Sequence, residues 1–183
     1  ARAAGVPPAA VREGMRAYRP EEHRTTDLGE VGGVRCVNDS KATNPHAAAA
    51  ALAAYPSIVW VAGGQLKDAQ VEELVRQAAP RLRAAVLLGQ DRGVIAAALA
   101  RHAPHLPVEQ VAAGDTEDVD AVMDRVVGRA LELARPGDTV LLAPAAASLD
   151  MFPGYGDRGR SFTEAVRRRQ QAPPGAPGSG AGA

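Results

Sequence analysis

The sequence predicts an α/β domain of the Rossmann-like, doubly wound class, with a mostly parallel sheet flanked by helices. Short apolar runs alternate with helical patterns along most of the chain. The runs 58–63 (IVWVAG) and 139–144 (TVLLAP) are apolar on both faces. Strands of that kind are typical of a parallel sheet covered by helices on both sides.

The first part of the chain predicts two helices and a hairpin. Residues 7–18 (PPAAVREGMRAY) begin with proline, which is favoured in the first turn of a helix. Residues 24–39 (RTTDLGEVGGVRCVND) predict two short strands around a glycine-containing turn. A helix is predicted near Asn44 to Tyr55, because Asn44 suits the cap position and Pro45 the first turn.

The rest of the chain repeats the alternation of strand and helix. The predicted strands are 57–64, 82–89, 108–112 and 138–145, and the predicted helices are 68–79, 91–102, 116–134 and 159–170. The third of these helices has apolar residues at 119, 122, 123, 126, 127, 130 and 131, which is the spacing of an amphipathic helix.

Composition and charge exclude several classes of protein. Lys plus Arg and Asp plus Glu both number 21, so we expect no bulk attraction to nucleic acid or to an anionic membrane. No apolar run approaches the roughly 20 residues that span a bilayer. Cys36 is the only cysteine, which excludes an internal disulfide framework, and its apolar surroundings predict a buried strand thiol. The sequence therefore predicts a cytoplasmic protein that binds neither nucleic acid nor membrane.

Polar residues gather after the predicted strands, where ligands bind in sheets of this kind. The stretch NDSKATN at 38–44 precedes a helix N-terminus, which attracts anions, and Lys41 would add a full charge. Ser40 and Thr43 would add hydroxyl donors, and Asp39 could accept from a sugar hydroxyl or hold Mg²⁺ through water. Helix capping explains any one of these residues, but it does not explain all of them together.

Several motifs on this edge resemble the C-terminal domain of the Mur ligases. They are DSKATN at 39–44, GGxxK at 63–67, APAAASLDMF at 143–152 and RGxxF at 158–162. The resemblance covers Val11 to Arg168 and is strongest to the ligases that add D-glutamate. It implies the end of a central ATPase domain and hinge at residues 1–20, and the C-terminal domain at 21–170. Residues 171–183, rich in Pro, Gly and Ala, predict a disordered tail.

The resemblance implies part of an ATP-dependent amide ligase of peptidoglycan synthesis. In such an enzyme ATP phosphorylates the carboxylate of UDP-MurNAc-L-alanine, and the amine of D-glutamate attacks the acyl phosphate. The enzyme's own N-terminal and central domains would be the partners of this chain. The central domain would hold the phosphate loop and most contacts to Mg²⁺, since this sequence lacks GxxxxGK[ST]. We expect a monomer, and we expect the fragment alone to be inactive.

Roles for individual residues follow from the same resemblance. The nucleotide set, which it assigns to ATP or ADP, is Arg24, Asp39, Lys41 and Thr43. The D-glutamate set, which it assigns to the incoming amino acid, is Lys67, Ser148, Leu149 and Tyr155. The resemblance implies neither a metal ligand nor a certain catalytic side chain in this part of the enzyme. It gives His23 a less certain role beside Arg24, and Asp150 is expected to be a loop or cap residue.

Two alternatives stay open at the level of sequence. One is a sister ligase, such as a folylpolyglutamate-type enzyme, which would use L-glutamate. The other is a stand-alone Rossmann-like binding module without catalytic activity.

Overall fold

The computed structural model describes residues 6–17, 22–114 and 117–172 of the 183-residue chain. The helices are α1 Pro8–Ala17, α2 Pro45–Ala53, α3 Glu72–Ala78, α4 Arg92–His102, α5 Val119–Leu133 and α6 Tyr155–Gln171, with a 3₁₀ turn at Ala79–Arg81. The strands are β1 Thr26–Val31, β2 Val34–Asn38, β3 Ile58–Gly63, β4 Leu82–Leu88, β5 Val108–Gln110 and β6 Thr139–Leu142.

The strands form one six-stranded sheet in the order β1-β2-β6-β3-β4-β5. β1 and β2 form an antiparallel hairpin, and every other neighbouring pair is parallel. The predicted fold class is therefore confirmed. Because β6 inserts between β2 and β3, three loops lie side by side at the carboxyl edge. They are the β2 loop (39–44), the β6 loop (143–154) and the β3 loop (64–71).

Helices cover both faces of the sheet, which explains why its central strands are apolar throughout. All six residues of β3 are buried, and they alternate between the two sides. Trp60 packs with residues of α2, α3 and α4 in one hydrophobic cluster. Val59 packs with residues of α5 and α6, including Phe162, in a second cluster. Cys36 is fully buried in the second cluster, and burial raises the pKa of its thiol to about 12.

Two predicted helix starts are wrong by four residues, each for a local reason. α3 begins at Glu72 instead of 68, because Lys67 and Asp68 adopt positive φ, which an α-helix does not permit. α6 begins at Tyr155, four residues before the predicted start at 159, with Gly154 at its cap. The glycines at 156 and 159 resemble loop sequence, but burial of this helix against the sheet outweighs their low helix propensity.

The predictions for the two ends of the chain fall largely outside the described residues. α1 agrees with the helix predicted at 7–18. Residues 1–5 and 18–20, part of the predicted central-domain end and hinge, lie outside the described ranges, as do residue 21 of the predicted C-terminal domain and residues 173–183 of the predicted tail. The first tail residue, Gln171, is instead the last residue of α6. None of the helices in the described ranges combines the length and the hydropathy that a membrane-spanning helix requires.

Candidate functional site

The β2 loop is held at the carboxyl edge of the sheet by backbone hydrogen bonds. The Asp39 amide donates to the Leu142 carbonyl at 2.8 Å, and the Ala42 amide donates to the Asp39 carbonyl at 2.9 Å. Asn44 caps α2 by accepting from the Ala47 amide at 2.9 Å, as its position before Pro45 predicts. A tight turn and a capped helix thus fix the backbone on either side of Lys41 and Thr43.

The Asp39 side chain faces the segment before β1. Only 7% of the residue is exposed, and its Oδ1 accepts from the Thr25 amide at 3.0 Å. Burial raises the pKa of Asp39, and the Thr25 hydrogen bond and the charge of Arg24 oppose that rise. The carboxylate is therefore already engaged on one side, with Arg24 close enough to affect its ionisation.

The segment 22–25 is fixed to the β2 loop and to α6. The Lys41 amide donates to the His23 carbonyl at 3.1 Å, and the Asn38 carboxamide lies 3.1 Å from His23 Nδ1. A Cβ on Gly159 of α6 would overlap the His23 ring, so glycine is needed there. His23 is therefore an internal anchor that holds the neighbouring Arg24 at the edge of the site.

A cavity of about 450 Å³ joins part of the nucleotide set to α2. Arg24, Asp39 and Lys41 line it, whereas Thr43 is not among its lining residues. Its lining also includes Ala47, Ala50 and Ala51 of α2 and the cap residue Ala54. Charged groups beside a row of alanine side chains suit a ligand with both an anionic part and an apolar part.

Ser40 does not serve as the free hydroxyl donor that the sequence predicts. The residue is completely buried, and its hydroxyl donates to the Tyr155 carbonyl at 2.7 Å. The same oxygen accepts from Arg158 Nε at 3.1 Å. The prediction failed because α6, which is distant in sequence, packs against this loop and uses the hydroxyl internally.

The D-glutamate set divides between the β3 loop and the β6 loop. Lys67 is exposed, and its backbone has a φ of 52°. Ser148 is 3% exposed and its carbonyl accepts from the amides of Met151 and Phe152, whereas Leu149 is 60% exposed. Lys67, Ser148 and Leu149 lie outside the 450 Å³ cavity.

The two loops that carry this set touch each other directly. The amides of Gln65 and Ala147 donate to each other's carbonyls at 2.9 Å, which forms an isolated antiparallel bridge. A Cβ on Gly64, whose φ is +129°, would overlap the Ala147 carbonyl. The second glycine of the GGxxK motif therefore permits the close approach that aligns the loops of Lys67 and Ser148.

A third loop, residues 89–91 after β4, supports the other two. The Asp91 carboxylate accepts from the Leu66 amide at 2.8 Å, which fixes the backbone just before Lys67. Asp150 of the β6 loop accepts from the Gln90 amide at 2.7 Å. Asp150 is thus placed as a loop residue, in agreement with the expectation from sequence.

Tyr155 lies where the two predicted sets meet. It is the first residue of α6 and 41% exposed. Its ring lies beneath the Lys41 ammonium, with Nζ 5.7 Å from the ring centroid, which is within the range of a cation–π contact. The structure thus places this member of the D-glutamate set beside a member of the nucleotide set.

Sequence reasoning missed Arg158, which is 1% exposed beneath these loops. It donates hydrogen bonds to Ser40, Gly63 and Ala146. Burial lowers its pKa to about 10, and the charge of Asp150 opposes this change. The only signal in the sequence was the RGxxF motif, which resembles the family but does not show where its arginine lies.

The family model described as "Mur ligase, glutamate ligase domain" matches residues 23–146. The protein named UDP-N-acetylmuramoylalanine–D-glutamate ligase of Thermobifida fusca is 58% identical over 91% of this chain. The protein of the same name from Streptomyces coelicolor is 57% identical over 91% of the chain. The chain spans 35% of the length of each relative.

A solved structure of Mycobacterium tuberculosis folylpolyglutamate synthase, complexed with ADP and AMPPCP, has a TM-score of 0.49 and 17% identity. It covers 93% of this chain, which in turn matches 36% of that chain. A likeness at this level carries no conclusion about function.

Proposed function

Because the chain belongs to the Mur ligase family and matches its glutamate ligase domain, we propose that it is the C-terminal domain of an ATP-dependent ligase that adds D-glutamate to UDP-MurNAc-L-alanine. The activity is that of the longer enzyme, of which this chain spans about a third, as judged from its relatives. The observation that carries the proposal is the convergence of the β2, β3 and β6 loops, with both predicted sets, at one sheet edge.

The 450 Å³ cavity takes part of the nucleotide in this proposal. The alanine side chains of α2 provide an apolar surface for the base or ribose, and Arg24 and Lys41 carry positive charge toward the phosphates. Asp39 lines the same cavity and presents an acceptor for a ribose hydroxyl. Thr43 joins this set at the start of α2, although it does not line the cavity itself.

D-glutamate lies across the β3 and β6 loops in this proposal. It carries two carboxylates, which require cationic or N–H donors, and the exposed Lys67 ammonium pairs with one of them. The Ser148 hydroxyl and the Leu149 backbone amide receive the other, and Tyr155 borders the site. The remaining walls belong to the other domains, in line with the open position of Lys67.

In this proposal the domain contributes to the reaction by positioning D-glutamate and ATP. The amine of D-glutamate attacks the acyl phosphate formed on UDP-MurNAc-L-alanine, and the tetrahedral intermediate collapses to amide and phosphate. This step needs the amine to be oriented and the negative charge to be screened, and it needs no side-chain nucleophile. The Lys67 and Lys41 ammonium groups are suited to those two tasks.

The Mg²⁺ that accompanies ATP belongs to the central domain in this proposal. Across the described residues, no three His, Cys, Asp or Glu side chains converge closely enough to hold a metal ion. We further propose a monomeric, cytoplasmic enzyme whose partners are its own N-terminal and central domains.

The relatives favour this proposal over its alternatives. The first eight curated relatives all carry the name of a D-glutamate ligase, and none of these eight carries the name of a folylpolyglutamate enzyme. Membership of a ligase family also speaks against a stand-alone binding module.

The proposal is tested by phosphate release from the full-length enzyme with ATP, Mg²⁺ and UDP-MurNAc-L-alanine. We expect release that depends on D-glutamate, with L-glutamate as the matched substrate control. Dependence on L-glutamate or another amino acid would make the protein a sister ligase. Failure to release phosphate with any amino acid would favour the binding module.

A further inference from the structure

Arg158 lies in the first turn of α6, beneath the three loops that carry both predicted sets. Its Nη2 donates to the Ser40 carbonyl at 3.0 Å, and its Nη1 donates to the Gly63 carbonyl at 3.3 Å. Both of these nitrogens also donate to the Ala146 carbonyl, at 3.1 and 3.2 Å. One guanidinium therefore binds the β2 loop, the end of β3 and the β6 loop together.

A buried cation is a costly way to stabilise loop backbone. The five hydrogen bonds that Arg158 donates end on carbonyl and hydroxyl oxygens, which compensate a buried charge less well than a carboxylate does. An apolar side chain of similar volume would avoid the cost of desolvation. The planar guanidinium offers instead a rigid array of donors, which fixes the relative positions of several acceptors at once.

We propose that Arg158 is a positioning residue that holds the nucleotide-binding β2 loop in register with the D-glutamate-binding β3 and β6 loops. The inference rests on the proposed function for the identity of the ligands. It goes beyond that function because it assigns the alignment of the two half-sites to a residue that neither ligand touches.

Ser40 and Tyr155 extend this connection to the surface. Ser40 Oγ accepts from Arg158 and donates to the Tyr155 carbonyl, so the guanidinium fixes the first residue of α6. The Tyr155 ring in turn lies beneath the Lys41 ammonium. A continuous set of contacts therefore runs from the buried Arg158 to an ammonium of the nucleotide set.

The substitution Arg158→Lys separates charge from geometry. Lysine keeps the positive charge, but its single ammonium cannot reach the β2 loop, the end of β3 and the β6 loop as a planar fork does. A misplacement of reacting groups by about 1 Å costs about 100-fold in rate, so we expect kcat/KM to fall by about that factor. The KM values for ATP and for D-glutamate should rise together, because Arg158 aligns both half-sites.

The matched control is Arg83→Lys at the opposite, amino edge of the sheet. Arg83 pairs with the buried Asp138 far from the three loops, so its loss should lower the melting temperature and leave both KM values unchanged. Steady-state kinetics of the full-length enzyme, measured below the melting temperature of each variant, gives the comparison. Unchanged KM values for both substrates in Arg158→Lys would overturn the proposal.

A milder variant tests the positioning role of Arg158 if Arg158→Lys fails to fold. Ser40→Ala removes one acceptor of Arg158 and the bond to Tyr155, and we expect both KM values to rise by a smaller factor. Ser40→Ala with both KM values unchanged would then overturn the proposal.

A separate readout distinguishes this inference from the proposed function. If the wild type lacks turnover with D-glutamate, the proposed function fails, and hydrogen exchange of the loop amides tests the positioning directly. The amides of Lys41 and Ala147 are both hydrogen-bonded in loops that Arg158 joins. Faster exchange at both amides in the folded variant (Arg158→Lys, or Ser40→Ala in its place), but not in Arg83→Lys, supports the positioning role. Unchanged exchange at both amides contradicts it.

Discussion

Asp39 Oδ1 accepts a hydrogen bond from the Thr25 amide at 3.0 Å, which joins the β2 loop to the segment before β1. Thr25 and His23 both adopt positive φ, at 48° and 62°, so this segment takes a conformation that L-residues rarely adopt without support. The support comes from Asp39 and from the bond between the Lys41 amide and the His23 carbonyl. The segment next to the predicted hinge is thus fixed by the loop proposed to bind nucleotide.

Replacement of Asp39 by asparagine should increase the stability of the fold at neutral pH. Burial raises the pKa of Asp39 in the folded state, so folding favours the protonated form. The free energy of unfolding therefore falls as the pH rises from the pKa of Asp39 in the unfolded state through its higher pKa in the folded state. Above that pH the free energy of unfolding stays lower. The neutral asparagine side chain removes this loss and keeps an oxygen that accepts from Thr25.

The measurement is the melting temperature of both proteins between acid and neutral pH. The advantage of Asp39→Asn should shrink toward acid pH, where the wild-type carboxyl is protonated. An advantage that is the same at every pH, or a variant that is less stable at neutral pH, would contradict this assignment.

Two helical glycines should respond in opposite ways to substitution by alanine. Gly93 of α4 has no atom within 4 Å of an added Cβ, so Gly93→Ala should stabilise the fold by about 0.5–1 kcal/mol through helix propensity. An added Cβ at Gly159 of α6 would overlap His23, so Gly159→Ala should destabilise the fold even though alanine has the higher helix propensity. Denaturant unfolding of the two variants checks the contrast, and equal stabilisation would show that His23 does not pack on α6.

Asp138 stabilises the amino edge of the sheet in a pH-dependent way. Burial acts to raise its pKa, but bonds from Ser57, Arg83 and the Arg135 amide outweigh burial and lower it. The stabilisation is therefore present above the ordinary pKa of aspartate and is lost as the pH falls through the lowered folded value.

We expect Asp138→Ala to cost about 2 kcal/mol at neutral pH, because the substitution removes a buried carboxylate that accepts hydrogen bonds from partly exposed partners. The control is Glu73→Ala, which breaks an exposed pair with Arg76 and should cost far less than Asp138→Ala. Denaturant unfolding at several pH values measures both costs. A cost for Asp138→Ala that does not shrink at acid pH would contradict the prediction.

The fold could be predicted from sequence because its signals are local or repeat along the chain. Apolar runs bounded by glycine predicted the buried strands, and Asn44 with Pro45 predicted the start of α2. The order of the strands could not be predicted in this way. The insertion of β6 between β2 and β3 depends on packing between segments about a hundred residues apart.

The sequence predicted only those features of the site that a single motif indicates by itself. The motifs placed Asp39, Lys41 and Lys67 after the right strands. They did not show that the Ser40 hydroxyl is hydrogen-bonded to α6 or that the Tyr155 ring lies beneath the Lys41 ammonium. Nor did they show that Arg158 joins the loops. Each of these relationships depends on the docking of α6 across the carboxyl edge, which leaves no periodic signal in the sequence.

The most direct test of the proposed site is a crossed measurement of two KM values in the full-length ligase. Lys67→Ala should raise the KM for D-glutamate by about 10- to 100-fold, the cost of one charged hydrogen bond, and leave the KM for ATP unchanged. Lys41→Ala should raise the KM for ATP by a similar factor, and Arg76→Ala on the exposed surface of α3 should change neither. If Lys67→Ala left the KM for D-glutamate unchanged, or raised only the KM for ATP, the assignment of the two half-sites would be contradicted.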